Sequence, residues 1–246
     1  MRTIRVMMVV AALAVIAGGV FWMHQSRARA TVLLADIDRL AADPKLAPGL
    51  RRRGRHVFED HCAACHGESG RGDRDGGVPD LTDRDFLYGQ GRPSEIEQIV
   101  LHGIRSGDSK GWRLAVMPAY GTPRPSATEK INPLSPAMIN NIIQFLRARE
   151  GLPHDDAAAA KGGPVFKGSG ACWDCHGPDG YGDSAIGAPN LVDRIWLYGD
   201  GSPAWVFRSI SEGRHGRCPA FAHRLDPVAI RSVALYVASL ATGGKS

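Results

Sequence analysis

The sequence has few cysteines, and almost all of them lie in two short motifs. Four of the five fall within Cys62–His66 and Cys172–His176, which leaves Cys218 without a partner. This count excludes a framework of disulfide bonds. Aromatic residues make up only 7% of the chain, and segments with the alternating pattern of strands are scarce. The loops are instead rich in glycine and proline, so we expect an all-α fold with long loops.

One segment lacks charge altogether. Val6–Met23 is a run of 18 residues without a charged side chain, and Arg2 and Arg5 precede it. Eighteen apolar residues reach the length that spans a bilayer and exceed the usual apolar core of a cleaved signal peptide. Ala28–Ala30 has the A-x-A form of a cleavage site, so a cleaved signal remains the alternative. We expect residues 1–26 to be an uncleaved, single-pass anchor in a bacterial inner membrane, with the rest of the chain in the periplasm.

The net charge of +5 is unevenly distributed along the chain. Residues 1–61 contain ten Lys and Arg against five Asp and Glu, whereas the remainder contains 20 of each. The basic character therefore belongs to the N-terminal region. Because an exported chain meets no nucleic acid, the arginines of Arg51–Arg55 are interpreted as a solvated helix face. Membrane lipid is the expected neighbour of the anchor, and no nucleic acid is expected as a partner.

The two cysteine motifs, Cys62-Ala-Ala-Cys-His66 and Cys172-Trp-Asp-Cys-His176, have the C-x-x-C-H form of haem attachment sites. At this spacing both cysteines can form thioethers to one porphyrin, and the adjacent histidine becomes a ligand of the iron. A zinc site needs a second pair of ligands, and a redox C-x-x-C pair does not require the following histidine. We therefore predict two covalently bound haem c groups, haem 1 and haem 2. The predicted attachment residues are Cys62, Cys65, Cys172 and Cys175, and the predicted iron ligands are His66 and His176.

The motifs belong to a longer internal repeat. Cys62 and Cys172 are 110 residues apart, and the same offset relates Gly72 to Gly182, Tyr88 to Tyr198 and Gly103 to Gly213. Farther on, Met117 corresponds to Cys218 at an offset of 101, so the first copy is nine residues longer, around residues 109–113. Each copy closes with an amphipathic helix, capped by Ser135-Pro136 and by Asp226-Pro227. The predicted order is a linker with a short helix (27–50), haem domain 1 (51–152), a second linker (153–163) and haem domain 2 (164–246).

The sixth ligand of each iron decides between electron transfer and catalysis. Met117, followed by proline, lies between the haem motif and the last helix of the first copy, so we expect it to bind the iron of haem 1. Cys218 occupies the corresponding place in the second copy, and we expect its thiolate to bind haem 2 and to lower the potential of that haem. The alternatives for haem 2 are ligation by His215 or His223, or an open position.

Together these residues resemble tandem class I cytochrome c domains and, more closely, the dihaem subunit III of cbb3-type cytochrome c oxidases. The stretches that carry the resemblance are Cys62–Gly67, Pro79–Asp83, Phe86–Gly89, His102–Arg105, Met117-Pro118 and Pro189–Gly199. The resemblance implies a membrane-anchored carrier of single electrons that catalyses nothing alone. Its implied donors are a soluble cytochrome c or the bc1 complex, and its implied acceptors are haem-copper oxidase subunits or another membrane redox complex.

Two features depart from the family pattern. The family usually has a longer portion before the membrane helix than Met1–Arg5, and it has methionine where this chain has Cys218. These departures predict a different potential and leave a different partner open. They also keep two alternative functions in view. One is a dihaem cytochrome that oxidises sulfur compounds, as thiosulfate dehydrogenases do. The other is a haem redox sensor in which Cys218 leaves the iron on reduction.

Overall fold

The computed structural model describes residues 2–112, 116–126 and 131–242, with side chains from residue 13 onward. This part of the chain is mostly helical, with isolated β-bridges and no strand, in agreement with the expected all-α class. Its ten helices are α1 Arg2–Leu34, α2 Ile37–Leu40, α3 Ala47–His61, α4 Ala63–His66, α5 Pro93–His102, α6 Pro136–Arg149, α7 Asp156–Lys167, α8 Trp173–His176, α9 Pro203–Glu212 and α10 Pro227–Leu240.

Helix α1 contains the segment expected to anchor the chain. It does not end at residue 26 but continues through Arg27 and Arg29 to Leu34, so the predicted linker 27–50 begins inside a helix. Among the residues whose placement is described, no helix combines the length and the apolar character needed to cross a membrane.

The capping signals of the two closing helices are confirmed. The Ser135 side chain accepts a hydrogen bond from the Met138 backbone N–H, and Pro136 is the first residue of α6. The Asp226 carboxylate likewise accepts from the Val228 backbone N–H at the start of α10. A short polar side chain at this position satisfies an N–H group that has no partner within the helix.

The segment 153–163, predicted to be a linker, lies mostly within helix α7. Asp155 caps this helix by accepting a hydrogen bond from the Ala158 backbone N–H, and the alanines that follow have the highest helix propensity. Gly162 allows α7 to approach α6 closely, since a Cβ atom there would overlap the backbone carbonyl of Asn141. The segment lacks an apolar stripe because small residues, not large ones, form its contact face.

The two sequence repeats exchange their closing helices. Helix α10 of the second copy packs on α3 and α5 of the first, whereas α6 of the first copy packs on α7 and α9 of the second. The ring centroids of Phe58 and Tyr236 are 5.5 Å apart, and those of Phe145 and Phe166 are 5.4 Å apart. Each hydrophobic cluster thus draws on both copies. The predicted bounds 51–152 and 164–246 remain a prediction about repeats in the sequence, while the packing units combine segments from both.

The contact between α3 and α10 makes Gly54 a sensitive position. A Cβ atom at Gly54 would overlap the Ser232 backbone carbonyl. We expect Gly54→Ala to lower the free energy of unfolding by about 1–3 kcal/mol, because the helices must move apart. The matched control is Gly49→Ala in the same helix, where the nearest atom to a Cβ is Arg52 Nη2 at 3.9 Å. Denaturant unfolding of both variants checks the prediction, and equal stabilities would contradict it.

Candidate haem sites

Each C-x-x-C-H pentapeptide forms a single helical turn that ends in its histidine. These turns are helices α4 and α8, with His66 and His176 as their last residues. Gly67 and Gly177 follow with φ of 73° each, in the left-handed region that favours glycine. The chain therefore turns away immediately after each histidine.

The two histidine rings are oriented by proline carbonyls. His66 Nδ1 lies 3.3 Å from the carbonyl oxygen of Pro79, and His176 Nδ1 lies 2.9 Å from that of Pro189. Such a bond places the proton on Nδ1 and leaves Nε2 as the metal-binding nitrogen. Burial lowers the pKa of both histidines, although the proline carbonyls act in the opposite direction. Both imidazoles are therefore held neutral, as a metal ligand must be.

The four cysteines of the pentapeptides form no disulfide bond. In each pair the first residue, Cys62 or Cys172, is partly buried, and the second, Cys65 or Cys175, is exposed. Burial raises the pKa of Cys62 to about 11 and that of Cys172 to about 12. No disulfide competes for these sulfur atoms, so all four are available for thioether bonds.

A largely apolar cavity of about 500 Å³ is lined by both pentapeptides. Its wall includes the four cysteines and both histidines of the pentapeptides and two further sulfur-bearing side chains, Met117 and Cys218. An apolar cavity with an imidazole nitrogen and two thiols on its wall suits a planar, apolar cofactor that is attached through sulfur. The residues present therefore fit covalently bound haem c.

Cys218 lies beside the first pentapeptide. Its backbone exchanges two hydrogen bonds with Ile104, two residues beyond the end of α5, with N···O distances of 3.0 and 2.9 Å. Burial raises the pKa of the Cys218 thiol to about 11, and the neighbouring Cys65 sulfur adds to this shift. Farther along the same segment, the Phe221 ring lies 6.3 Å from that of His61, which directly precedes Cys62. Cys218 therefore belongs to the site of His66.

Met117 lies beside the second pentapeptide. Its backbone exchanges two hydrogen bonds with Arg214 beyond α9, with N···O distances of 3.0 and 3.2 Å. Its side chain packs on the hydrophobic cluster that contains Phe166 and against which Cys172 also packs. Three residues later, the Tyr120 hydroxyl donates a hydrogen bond to the Gly170 carbonyl. Met117 therefore belongs to the site of His176.

These placements differ from the predicted pairing of ligands within each copy, which stays a prediction as far as the iron bonds are concerned. The sequence predicted Met117 with His66 and Cys218 with His176, whereas the structure brings each sulfur to the histidine site of the other copy. The reason is the exchange of closing segments, since each ligand precedes a helix that packs on the other repeat. The alternative ligands His215 and His223 are both exposed and are not among the residues that line the cavity.

The analysis of the sequence assigned no role to three residues of the site. They are Arg105 and Trp112, which contact Tyr88, and Arg214, which contacts Tyr198. Both arginines line the cavity. The guanidinium atom Nη2 of Arg214 is buried and has no hydrogen-bond partner among the described residues. The two arginines do not correspond under the repeat, so no pattern singles them out. Trp112 belongs to the extra residues of the first copy, of which Arg113 lies outside the described residues.

Comparisons with known proteins agree with this geometry. The model of the family described as "Cytochrome C oxidase, cbb3-type, subunit III" matches residues 49–146 and 157–237. The cbb3-type cytochrome c oxidase subunit FixP of Bradyrhizobium sp. (strain ORS 278) is 41% identical over 222 residues, which are 89% of this chain and 69% of that protein. FixP of Azorhizobium caulinodans is 39% identical over 87% of this chain and 67% of its own length. Subunit CcoP of Cereibacter sphaeroides is 36% identical over 87% and 69%.

The match covers both pentapeptides and nearly all of the helices that build the cavity. It extends over most of the chain and about two thirds of each relative. With its two attachment motifs and its helical repeats, the chain belongs to the family of cbb3-type cytochrome c oxidase subunit III.

Proposed function

We propose that this protein is a membrane-anchored dihaem c-type cytochrome that passes single electrons along a respiratory chain to a cbb3-type haem-copper oxidase. The observation that carries the proposal is the cavity that presents two attachment motifs, each with a sulfur-bearing side chain assigned to its site. The names of the relatives, subunits of cbb3-type oxidases, support haem-copper subunits as the acceptor. A soluble cytochrome c or the bc1 complex is the proposed donor.

Each haem is held by residues from both repeats. Haem 1 is attached through Cys62 and Cys65 and haem 2 through Cys172 and Cys175. His66 and Cys218 would hold the iron of haem 1, and His176 and Met117 would hold that of haem 2. This assignment is supported by the proximity of Cys218 to Cys62 and Cys65 and by the packing of Met117 and Cys172 against the same hydrophobic cluster.

The protein's contribution is to close both iron positions and to keep water away. Haem c supplies a one-electron couple when bound. Met117 and Cys218, as ligands, would leave no position for a substrate at either iron, and the chain would then work as an electron carrier and not as a catalyst on its own. The apolar wall of the cavity, with Phe58 and Phe166 fully buried beside it, limits the reorganisation of water around the cofactor.

The proposed location is the periplasmic face of a bacterial inner membrane. Val6–Met23 would be the anchor, in contact with lipid, because it is an uncharged run of 18 residues. The haem-binding repeats follow it and would all lie on the periplasmic side, where covalent attachment of haem takes place.

Purification from native membranes in mild detergent tests the proposal. We expect two haem c groups per chain in the pyridine haemochrome spectrum, together with b-type haem and copper from haem-copper subunits that remain bound. The protein should fractionate with the inner membrane, and replacement of residues 6–23 by a cleaved signal peptide should release it into the periplasm. Recovery of haem c alone would contradict the oxidase partner, and one haem per chain would contradict the dihaem assignment.

A further inference from the structure

The two copies contact each other through a repeated Leu-Tyr-Gly motif. The Tyr88 ring lies against Gly187, and the Tyr198 ring lies against Gly77, so closely that a Cβ atom on either glycine would overlap the ring. Two backbone hydrogen bonds also join the copies: Gly89 N donates to Ser184 O at 3.1 Å, and Gly199 N donates to Arg74 O at 2.9 Å. Every member of one contact corresponds to a member of the other at the offset of 110. The contact is therefore reciprocal.

The glycines of this contact belong to the loops that orient the two pentapeptide histidines. Gly77 lies two residues before Pro79, whose carbonyl lies against His66 Nδ1. Gly187 lies two residues before Pro189, whose carbonyl lies against His176 Nδ1. Each loop is a tight turn closed by a bridge, Asp73 with Val78 and Asp183 with Ala188. A tyrosine of one copy thus contacts the turn that positions the histidine of the other copy.

Other side chains also contact the two tyrosines. Tyr88 is buried, its hydroxyl accepts a hydrogen bond from Arg105 Nη1 at 3.2 Å, and its ring centroid lies 5.2 Å from that of Trp112. Tyr198 instead has the Arg214 guanidinium over its ring, 4.4 Å from the centroid. Trp112 belongs to the extra residues of the first copy, so this insertion supports Tyr88 alone.

We propose that Tyr88 and Tyr198 are positioning residues that act across the two repeats: Tyr88 on His176, and Tyr198 on His66. The inference rests on the proposed function, since it concerns how two iron ligands are oriented. A tyrosine that holds its loop in place fixes the distance between the proline carbonyl and Nδ1. This hydrogen bond controls the orientation and the basicity of the histidine ligand, and hence the potential of its iron.

The test uses the holoprotein with Tyr88→Leu and Tyr198→Leu, read by electron paramagnetic resonance of the ferric haems and by redox titration. Each signal is assigned with the paired variant Cys172→Ser/Cys175→Ser, which lacks haem 2. We expect Tyr88→Leu to shift the g values and the potential of haem 2 while leaving haem 1 unchanged, and Tyr198→Leu to do the reverse. Tyr88→Phe, which keeps the ring, should restore the signals of the wild type.

Glycine variants provide a second line of evidence if the leucine variants fold poorly. Gly187→Ala should displace the Tyr88 ring and shift haem 2 in the same way. Its control is Gly151→Ala, where φ is 70° and nothing lies within 4 Å of a Cβ, so that backbone strain alone is measured. Trp112→Ala should give a smaller shift of haem 2 only.

The outcomes separate this inference from the proposed function. Equal shifts of both haems, shifts confined to the haem of the substituted copy, or no shift beyond that of Gly151→Ala would overturn the role of the tyrosines. Haem content is measured first on the unsubstituted protein. One haem per chain there would overturn the dihaem assignment itself, whereas two haems with unchanged signals in the variants would overturn only the positioning role.

Discussion

Met117→Ala is expected to open the iron position of haem 2 and to leave haem 1 unchanged. Met117 packs against the hydrophobic cluster that contains Phe166, and Cys172 of the second pentapeptide packs against the same cluster. Loss of its thioether should lower the potential of haem 2 by on the order of 0.1 V or more, because axial ligands set a range of about 0.8 V. The reduced variant should also bind carbon monoxide at one haem per chain. A pairing within each repeat predicts the same changes at haem 1.

The near-infrared band of methionine ligation identifies the haem concerned. In the paired variant Cys62→Ser/Cys65→Ser, which keeps only haem 2, the band should remain, and adding Met117→Ala should remove it. Met138→Leu is the matched control, since Met138 is a partly buried methionine that packs on the same cluster without lining the cavity. A band that disappears with the attachment site at Cys62 and Cys65 would contradict the exchanged ligation.

The complementary substitution is Cys218→Met, which should raise the potential of haem 1. Burial raises the pKa of the Cys218 thiol to about 11 in the protein alone, so only the charge of a bound metal ion can keep it as a thiolate at neutral pH. An anionic ligand stabilises ferric iron, and a neutral thioether does not. The methionine variant should therefore show two haems with methionine ligation. An unchanged potential of haem 1 would mean that Cys218 does not bind iron, and the sulfur-oxidising and sensor alternatives would lose their basis with it.

Arg231→Leu is expected to lower the free energy of unfolding by about 3–5 kcal/mol, as found when one partner of a buried charged network is removed. The Arg231 side chain is 8% exposed, and its guanidinium donates to the carbonyl oxygens of Val32, Leu33 and Ala35. These are among the last carbonyls of α1 and the residue after it, which have no partner within the helix. Arg231 Nε also lies 3.3 Å from Glu97 Oε1. Without the arginine, buried carbonyls and a carboxylate are left uncompensated.

Denaturant unfolding of the holoprotein measures the loss, and limited proteolysis between α1 and α3 shows where it acts. Burial already raises the pKa of Glu97 while Arg231 opposes the rise, so Glu97 should bind a proton more readily in the variant. The control is Arg29→Ala, which removes an ion pair with Asp226 at 2.6 Å whose arginine is 48% exposed. An exposed pair contributes about 0–1 kcal/mol. Equal losses in the two variants would show that Arg231 does not fix the end of α1.

Several elements were predictable because their signals are local. Ser135 and Asp226 cap their helices through N–H groups two or three residues away, and a capping residue followed by proline identifies this arrangement in any context. The apolar stripe of α6 is buried as expected, with Ile139 and Ile142 both 1% exposed. The segment 153–163 was predicted to be a linker because it has no apolar periodicity, and most of it lies within α7, where Gly162 permits a close helix crossing. Arg231 was missed because it lies within an otherwise apolar helix.

The sequence by itself determined which cysteines and histidines form each attachment motif, because C-x-x-C-H acts through residues within one helical turn. It also determined the repeat and the caps. Only the tertiary structure decided that Cys218 lies near the first pentapeptide and Met117 near the second. The two copies have closing helices with similar apolar stripes, so a helix can pack on its own copy or on the other with nearly the same residue types. That choice depends on long-range contacts such as Gly54 with Ser232 and Arg231 with the end of α1. No periodic pattern in the sequence indicates such contacts.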